Sequence, residues 1–548
     1  MKKIATTMLL VAAMALGMNA QNRYEKISNC VDIYNALLRE LAINYVDSID
    51  YDKITAEGMT RMLYELDPYT VFYAESEEES LKRLTTGIYG GIGAQVTQHG
   101  DYVVIAEPLE GKPAYQNDIH AGDTILSIDG KDAKGLKVSE VSEKLRGPQG
   151  SIVEVTLKRP GMAKPIRKKI VRGSIQTDAV AYSTMLDNGI GYIAFSDFIE
   201  NSSVEFEKAL DELNKTGELR KLVIDLRSNG GGLISEATKI ASLFVPRNTK
   251  IVEVKGLNQK NNSTYKTDKE PLYPNLPLAV IIDSETASAA EILSGALQDL
   301  DRAMIIGERS FGKGLVQNIR TLPHNTYAKI TIAKYYIPSG RCVQAIDYAK
   351  RDANGRLQRI PDSLTHEFST LNGRKVRDGG GILPDVQLDE RNTKSASLLY
   401  HLLVKHTMMD YATQFVLKHK TIAPADEFVI TDEIFNDFVA FVKAQNFEYP
   451  KQSTEILKDL REALKDDNRS EEAEPILAQI DSLLQSDIES DLQRARAEID
   501  EYLGNEIVGR YYYQKGKYAY NTRFDDWLKQ TKELLNDDAR YKEILNGK

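Results

Sequence analysis

Ser288 and Lys313 are the residues of this 548-residue chain whose types and surroundings suit covalent chemistry. Ser288 lies in "DSETASAAEILSGAL", where an apolar run, Leu278 to Ile282, passes through a short polar turn into a helical stretch. A serine at such a junction can present its hydroxyl at a sheet edge, with the free N–H of Ala289 beside it for a developing oxyanion. The same Ser288-Ala-Ala-Glu291 also matches a capping box, in which the serine merely closes the helix. Lys313 lies in "MIIGERSFGKG" and has two readings. Gly307 to Lys313 has the spacing of a phosphate loop, but that needs Ser or Thr after the lysine and then a helix. Gly314 stands there instead, and "LVQNIRTLPHNTYAKITIAKYYI" is rich in β-formers. As a base, the lysine must be neutral. Its reference pKa of about 10.4 must fall by roughly three units, which burial in an apolar site can supply. Gly312 and Gly314 give the backbone freedom to bring that amine close to Ser288. The histidines, His99, His120, His324, His366, His401, His406 and His419, form no recognisable triad motif, and no G-x-S-x-G elbow is present. A third segment, "VIDLRSNGGGLISEA", runs strand, three glycines, helix. It offers approachable N–H groups suited to an anion, or a plain turn.

These residues need a scaffold. Over 188–390, strand-like runs ("GIGYIAFSDF", "LRKLVIDLR", "LPLAVIID") alternate with helical ones ("SSVEFEKALDELNK", "ISEATKIASLFV", "ASAAEILSGALQDL"). That alternation implies βαβ units and an α/β core with a mostly parallel sheet. Residues 87–172 change to short β-runs with glycine turns and one amphipathic helix, "KVSEVSEKLRG", a small β-rich module. Residues 24–85 carry helical periodicity that "LDPYTVFY" interrupts. The segment 391–548 is charged and helical, with apolar stripes at Ile456, Leu457, Leu460 and Leu464 and at Ile476, Leu477, Ile480, Leu483, Leu484 and Ile488. Such stripes pack on each other or on a partner chain.

A chain of this length exceeds one ordinary core. A formal charge of −10 and no compact basic face argue against a nucleic-acid binder. Lys2 and Lys3, the apolar run Ile4 to Gly17, and Met18-Asn19-Ala20 follow the order of a secretory signal peptide, with cleavage expected after Ala20 or an uncleaved anchor as the alternative. Export separates the chain from nucleoside triphosphates, which weakens the phosphate reading of Lys313. Two distant cysteines, Cys30 and Cys342, are not a disulfide framework.

Taken together the segments resemble the C-terminal processing (tail-specific) serine peptidases. The resemblance runs in order over residues 25–390 through "LDPYTVFY", "GIYGGIGAQV", "AGDTILSIDG", "LRGPQGSIVEVTLKR", "GIGYIAFSDF", "VIDLRSNGGG", "TASAAEILSGALQD", "GERSFGKGLVQ", "AKYYIPSGR" and "GGILPDV". It implies Ser288 as nucleophile, Lys313 as general base, Gln317 orienting the lysine, and an oxyanion hole from the N–H groups of Gly231 and Ala289. The family usually has proline where this chain has Gly230. The resemblance also implies a PDZ domain over 87–172. Its carboxylate-binding loop would be Gly91-Ile92-Gly93-Ala94, reading apolar C-terminal tails by strand addition, and Arg146 would either couple it to the catalytic site or be a solvent-exposed arginine at a helix end. No metal, cofactor, nucleotide or nucleic acid is implied. The expected organisation is a signal peptide (1–20), an N-terminal helical region (21–86), the PDZ domain (87–172), the peptidase core (173–390) and a C-terminal helical region (391–548), the last a candidate surface for self-association or an adaptor. The expected protein is exported, and periplasmic in a Gram-negative source. The competing reading is a resting PDZ scaffold that binds peptides without turnover.

Overall fold

The computed structural model describes residues 24–351, 356–388, 395–484 and 487–547. The expected signal peptide therefore lies outside the described residues. The chain divides into two units, one of residues up to Glu75 with Ile319–Ile330, the other Ser76–Asn318 with Thr331–Lys548.

In the larger unit, the strands Ile190–Phe195, Lys221–Asp225, Leu278–Ile282, Met304–Gly307 and Val386–Gln387 pair side by side in parallel, and Val180–Leu186 adds an antiparallel edge. Alternate side chains go to opposite faces, so each strand needs cover on both sides. On one face Leu222, Ile224, Leu278, Val280, Ile282 and Ile305 meet the helices Ser202–Thr216, Ile234–Ala241 and Ala289–Asp299 through Phe206, Leu210, Ile240 and Leu293. On the other, Val223, Ala279, Ile281, Met304 and Ile306 are covered by Leu528, Leu535, Tyr541 and Ile544. Those four belong to the last two helices, Asp526–Asn536 and Asp538–Leu545. The last two helices of the expected C-terminal helical region therefore cover one face of this sheet.

The β-rich module is an antiparallel sheet in the order Ala94–His99, Tyr102–Pro108, Thr124–Ile128, Ile152–Lys158, Ile166–Val171, with the helix Val138–Leu145 burying Val141 and Leu145 against it. It is tied to the C-terminal helices by Lys517 Nζ, 2.7 Å from the buried Glu107 Oε2. Arg510 adds long contacts to the Ala106 and Met409 carbonyls, 3.3 Å each. The aromatic run at 511–520 works in this packing: the Tyr511 and Tyr512 hydroxyls donate to the His419 and Ile422 carbonyls, and Tyr518 stacks on Tyr182. Of the two apolar stripes, Leu457 and Leu477 are buried where Gln452–Asp466 and Ser470–Leu484 pair, while Ile456 and Ile476 face solvent.

In the smaller unit, residues 24–44 and Tyr51–Tyr64 are helical, and the second helix buries none of its residues. Asp67 closes an Asx turn by accepting from the Tyr69 and Thr70 amides, 2.8 Å each, which is why "LDPYTVFY" breaks the helical pattern. Val71–Tyr73 then pairs with Tyr327–Lys329. Cys30 and Cys342 are free thiols. Among the described residues no helix is long and apolar enough to cross a membrane.

Candidate active site

The strand Leu278–Ile282 ends in a turn that Asp283 organises. Its Oδ1 accepts the Glu285 and Thr286 amides at 3.1 and 2.9 Å, and its Oδ2 accepts the Ser228 amide at 2.9 Å. One carboxylate thus joins the turn before Ser288 to the glycine segment that follows Lys221–Asp225. The Ala287 N–H adds a 2.9 Å bond to the Asn229 carbonyl. Ser288 then leads directly into the helix Ala289–Asp299.

Ser288 has φ 58° and ψ −116°, a conformation costing of order 1–3 kcal/mol that persists only where surroundings over-determine it. Here they do. Its N–H donates to Glu291 Oε2 at 2.9 Å, and its carbonyl accepts the Ile292 amide at 2.9 Å and the Tyr335 hydroxyl at 3.1 Å. A serine that only caps a helix has extended backbone. Ser288 does not, although it forms a capping box with Glu291.

Gly231 presses on this residue. At φ +97°, a Cβ added to it would lie 2.6 Å from Ser288 Cβ and 2.7 Å from the Ala289 nitrogen. The glycine is therefore needed both for its backbone angle and for the close approach. Ala289, as the first helical residue, has no intrahelical acceptor for its N–H. The Gly231 N–H, by contrast, is already donated to the buried Asn229 Oδ1 at 2.9 Å. In this conformation the second expected oxyanion donor is occupied, and it is released only when Asn229 lets go. Gly230, the position usually proline, meets nothing within 4 Å.

The Lys313 N–H donates to Glu291 Oε2 at 2.8 Å, the same oxygen that receives Ser288. The two backbones, distant in sequence, are thus brought together. Gly314 N–H donates to Gln344 Oε1 at 2.7 Å, and Gly314 O accepts the Tyr335 amide at 3.0 Å, which leads the chain straight into the strand Leu315–Leu322. No helix follows the lysine, so the phosphate-loop requirement fails in space as in sequence. Gln317 lies on that strand, its Nε2 donating to Thr331 Oγ1 at 3.1 Å. Burial pushes the Glu291 carboxyl above its usual range, against the hydrogen bonds from Ser310, Lys313, Ser288 and Gly312.

Beside the glycine segment, Arg227 pairs with Asp225 and with Asp525 at the start of the helix Asp526–Asn536, and lies over the Trp527 ring. Burial works against the Arg227 charge, but Asp225 and Asp525 outweigh it and hold the guanidinium protonated. The C-terminal helices thereby reach the strand end that feeds Gly231.

In the β-rich module, Ala94–His99 is an edge strand facing the helix Val138–Leu145. The segment Gly91–Ala94 precedes it, with the Ile92 and Gly93 carbonyls held by the Ala114 and Leu109 amides at 2.7 and 2.9 Å. Arg146 follows that helix and lies over the Tyr89 ring at 5.5 Å, with Arg83 on the same ring at 5.8 Å. Its contact is thus with the strand Ile88–Gly91 that enters the module. Sequence reasoning did not single out Asn229, Asp283, Ser310 or Tyr335. Each ties together segments far apart in the chain, Asp283 to Ser228, Asn229 to Phe195 and Ala287, Ser310 to Glu291 and Ile382, and Tyr335 to Ser288, for which a one-chain sequence carries no periodic signal. Glu291 had one, the capping-box spacing.

Comparison with known proteins places the chain in a family. Residues 189–350 match peptidase family S41, 82–158 match the PDZ domain, and 398–535 match the C-terminal helical domain of probable PDZ-proteases. The carboxy-terminal-processing protease of Bartonella bacilliformis is 33% identical over 346 residues, covering 63% of this chain and 78% of that protein. The carboxyl-terminal-processing protease of Picosynechococcus sp. is 38% identical over 287 residues, covering 52% and 68%. Among solved structures, the photosystem II D1 C-terminal processing protease is similar at 29% identity over 65% of this chain and 87% of that one, with a TM-score of 0.36. The chain belongs to the carboxy-terminal-processing serine proteases of peptidase family S41, and it carries their PDZ domain and C-terminal helical domain.

Proposed function

We propose that the protein is an exported endopeptidase that cleaves proteins near their C-termini with a Ser288–Lys313 dyad. The observation carrying this reading is the convergence on one buried carboxylate of the Ser288 and Lys313 backbones, with Gly231 packed against Ser288 and Ala289. The Ser288 oxygen attacks the scissile carbonyl carbon while its proton passes to the neutral Lys313 amine. Lys313 returns that proton to the leaving amine, and an acyl-enzyme remains that water hydrolyses. The Ala289 N–H, joined by the Gly231 N–H once Asn229 releases it, stabilises the oxyanion. Gln317, anchored on Thr331, orients the lysine.

The edge strand Ala94–His99 supports substrate capture by strand addition, with the amides of Gly91–Ala94 holding the terminal carboxylate and apolar side chains reading the last residue. Arg146, through Tyr89, is the proposed coupling of that capture to the core. Cleavage of an unfolded protein with an apolar C-terminus is expected for the parent and lost in Ser288→Ala and Lys313→Ala, with tail binding kept. Cleavage by either variant at the parent rate rejects the dyad. The hydrogen bond from Gly231 to Asn229 favours a second reading, a resting arrangement that binds tails and awaits an activator. No turnover by the parent, with tails bound, is the result that selects it.

Export rests on the first twenty residues. N-terminal sequencing of the protein recovered from outside the cytoplasm is expected to begin at Gln21. A chain retained in the cytoplasm with Met1 intact excludes export.

A further inference from the structure

Glu291 is fully buried, and its carboxylate receives four donors. Oε2 accepts the N–H of Ser288 at 2.9 Å and that of Lys313 at 2.8 Å. Oε1 accepts the N–H of Gly312 at 2.8 Å and the Ser310 hydroxyl at 2.6 Å. Ser310 Oγ in turn accepts the Ile382 amide at 2.6 Å, which anchors the far side of the arrangement. Gly312 and Lys313 supply successive amides, and Gly312 at φ +88° turns the chain so that both face one anion. The glycine–lysine spacing that resembles a phosphate loop therefore does cradle an anion, and the anion is the protein's own. Two donors on each oxygen is the pattern that favours an ionised carboxylate. Burial opposes that ionisation, and the hydrogen bonds oppose burial.

We propose that Glu291 is a positioning residue of the peptidase reaction, its carboxylate bracketing the Ser288 and Lys313 backbones so that nucleophile and base stay in register. The proposal rests on the Ser288–Lys313 reading. Glutamine at 291 has nearly the same shape, but its NH2 cannot accept, so one side of the bracket loses both hydrogen bonds and faces them with a donor. The consequence falls on the placement of reacting groups, where a misplacement of about 1 Å costs on the order of 10²-fold. Substrate capture, which depends on the PDZ domain and the cleft, is untouched.

The test measures kcat and KM on an unfolded substrate with an apolar C-terminus, together with the rate at which a fluorophosphonate probe labels Ser288. Glu291→Gln is expected to lose on the order of 10²-fold in kcat and in labelling rate, with KM close to the parent value. The urea unfolding midpoint, read in parallel, separates this from a loss of folded protein. If Glu291→Gln does not fold, Glu291→Asp replaces it. That variant keeps the charge but is one methylene short of spanning both loops, and the same split is expected. Parent-like kcat in a folded variant, or a loss confined to KM or to the folded fraction, overturns the proposal. Ser288→Ala that still cleaves overturns the dyad itself, a result distinguishable because it is independent of residue 291.

Discussion

Alanine in place of Gly231 is expected to reduce turnover by at least about 10²-fold, the scale of losing one oxyanion donor. Two independent physical costs meet at this position. The backbone lies at φ +97°, where an L side chain is strained, and the new Cβ would sit 2.6 Å from both the Ala287 carbonyl oxygen and Ser288 Cβ. All of these neighbours belong to the turn around Ser288, whose own strained backbone has no slack to absorb a shift. The glycine segment must move away, and the Gly231 N–H moves with it. The loss is expected in kcat and in probe labelling of Ser288, with tail binding to the PDZ domain unchanged. Parent-like labelling by Gly231→Ala would show that the Gly231 amide takes no part in oxyanion stabilisation.

The second large effect concerns the far end of the helix Ala289–Asp299. Arg374 is buried there and forms ion pairs with Asp301 at 2.6 Å and Asp385 at 2.5 Å, while its Nη2 donates to the Gln298 carbonyl in the last helical turn at 2.8 Å. Asp385 also accepts the Ile305 amide at 2.9 Å, so the cluster fixes Ala289–Asp299 to the strand Met304–Gly307. Burial disfavours the Arg374 charge, and Asp385 and Asp301 more than compensate. Removing the arginine strands two carboxylates in a poorly solvated place. Arg374→Ala is expected to destabilise the folded chain by about 3–5 kcal/mol, the scale for breaking a buried pair from one side. Urea unfolding in the Ser288→Ala background measures it. A midpoint within experimental error of the parent would mean that the carboxylates find other partners.

The sequence by itself determined the family. Ser288 at a strand-to-helix junction, Lys313 between glycines and the three-glycine turn are short segments in a set order, and matches to peptidase family S41, the PDZ domain and the carboxy-terminal-processing proteases agree with that reading. The helical character of the C-terminal region was equally legible, because apolar spacing reports a helix directly. Spacing does not report what a helix packs on. Leu528, Leu535, Tyr541 and Ile544 have the pattern of any amphipathic helix, and only the folded chain shows that they cover one face of the peptidase sheet. The tertiary structure likewise decided how the site is held. Glu291 in sequence is half of a capping box; in space it also receives the amides of Gly312 and Lys313. Asn229 holds the Gly231 amide locally, but only in space does it also donate to the Phe195 carbonyl at 2.7 Å and accept the Ala287 amide at 2.9 Å. Local patterns are written residue by residue, whereas a hydrogen bond across the fold depends on backbone angles and burial that many residues set together. For that reason the sequence indicated which residues are suited to the chemistry, and the packed structure decided which acceptor each backbone donor meets.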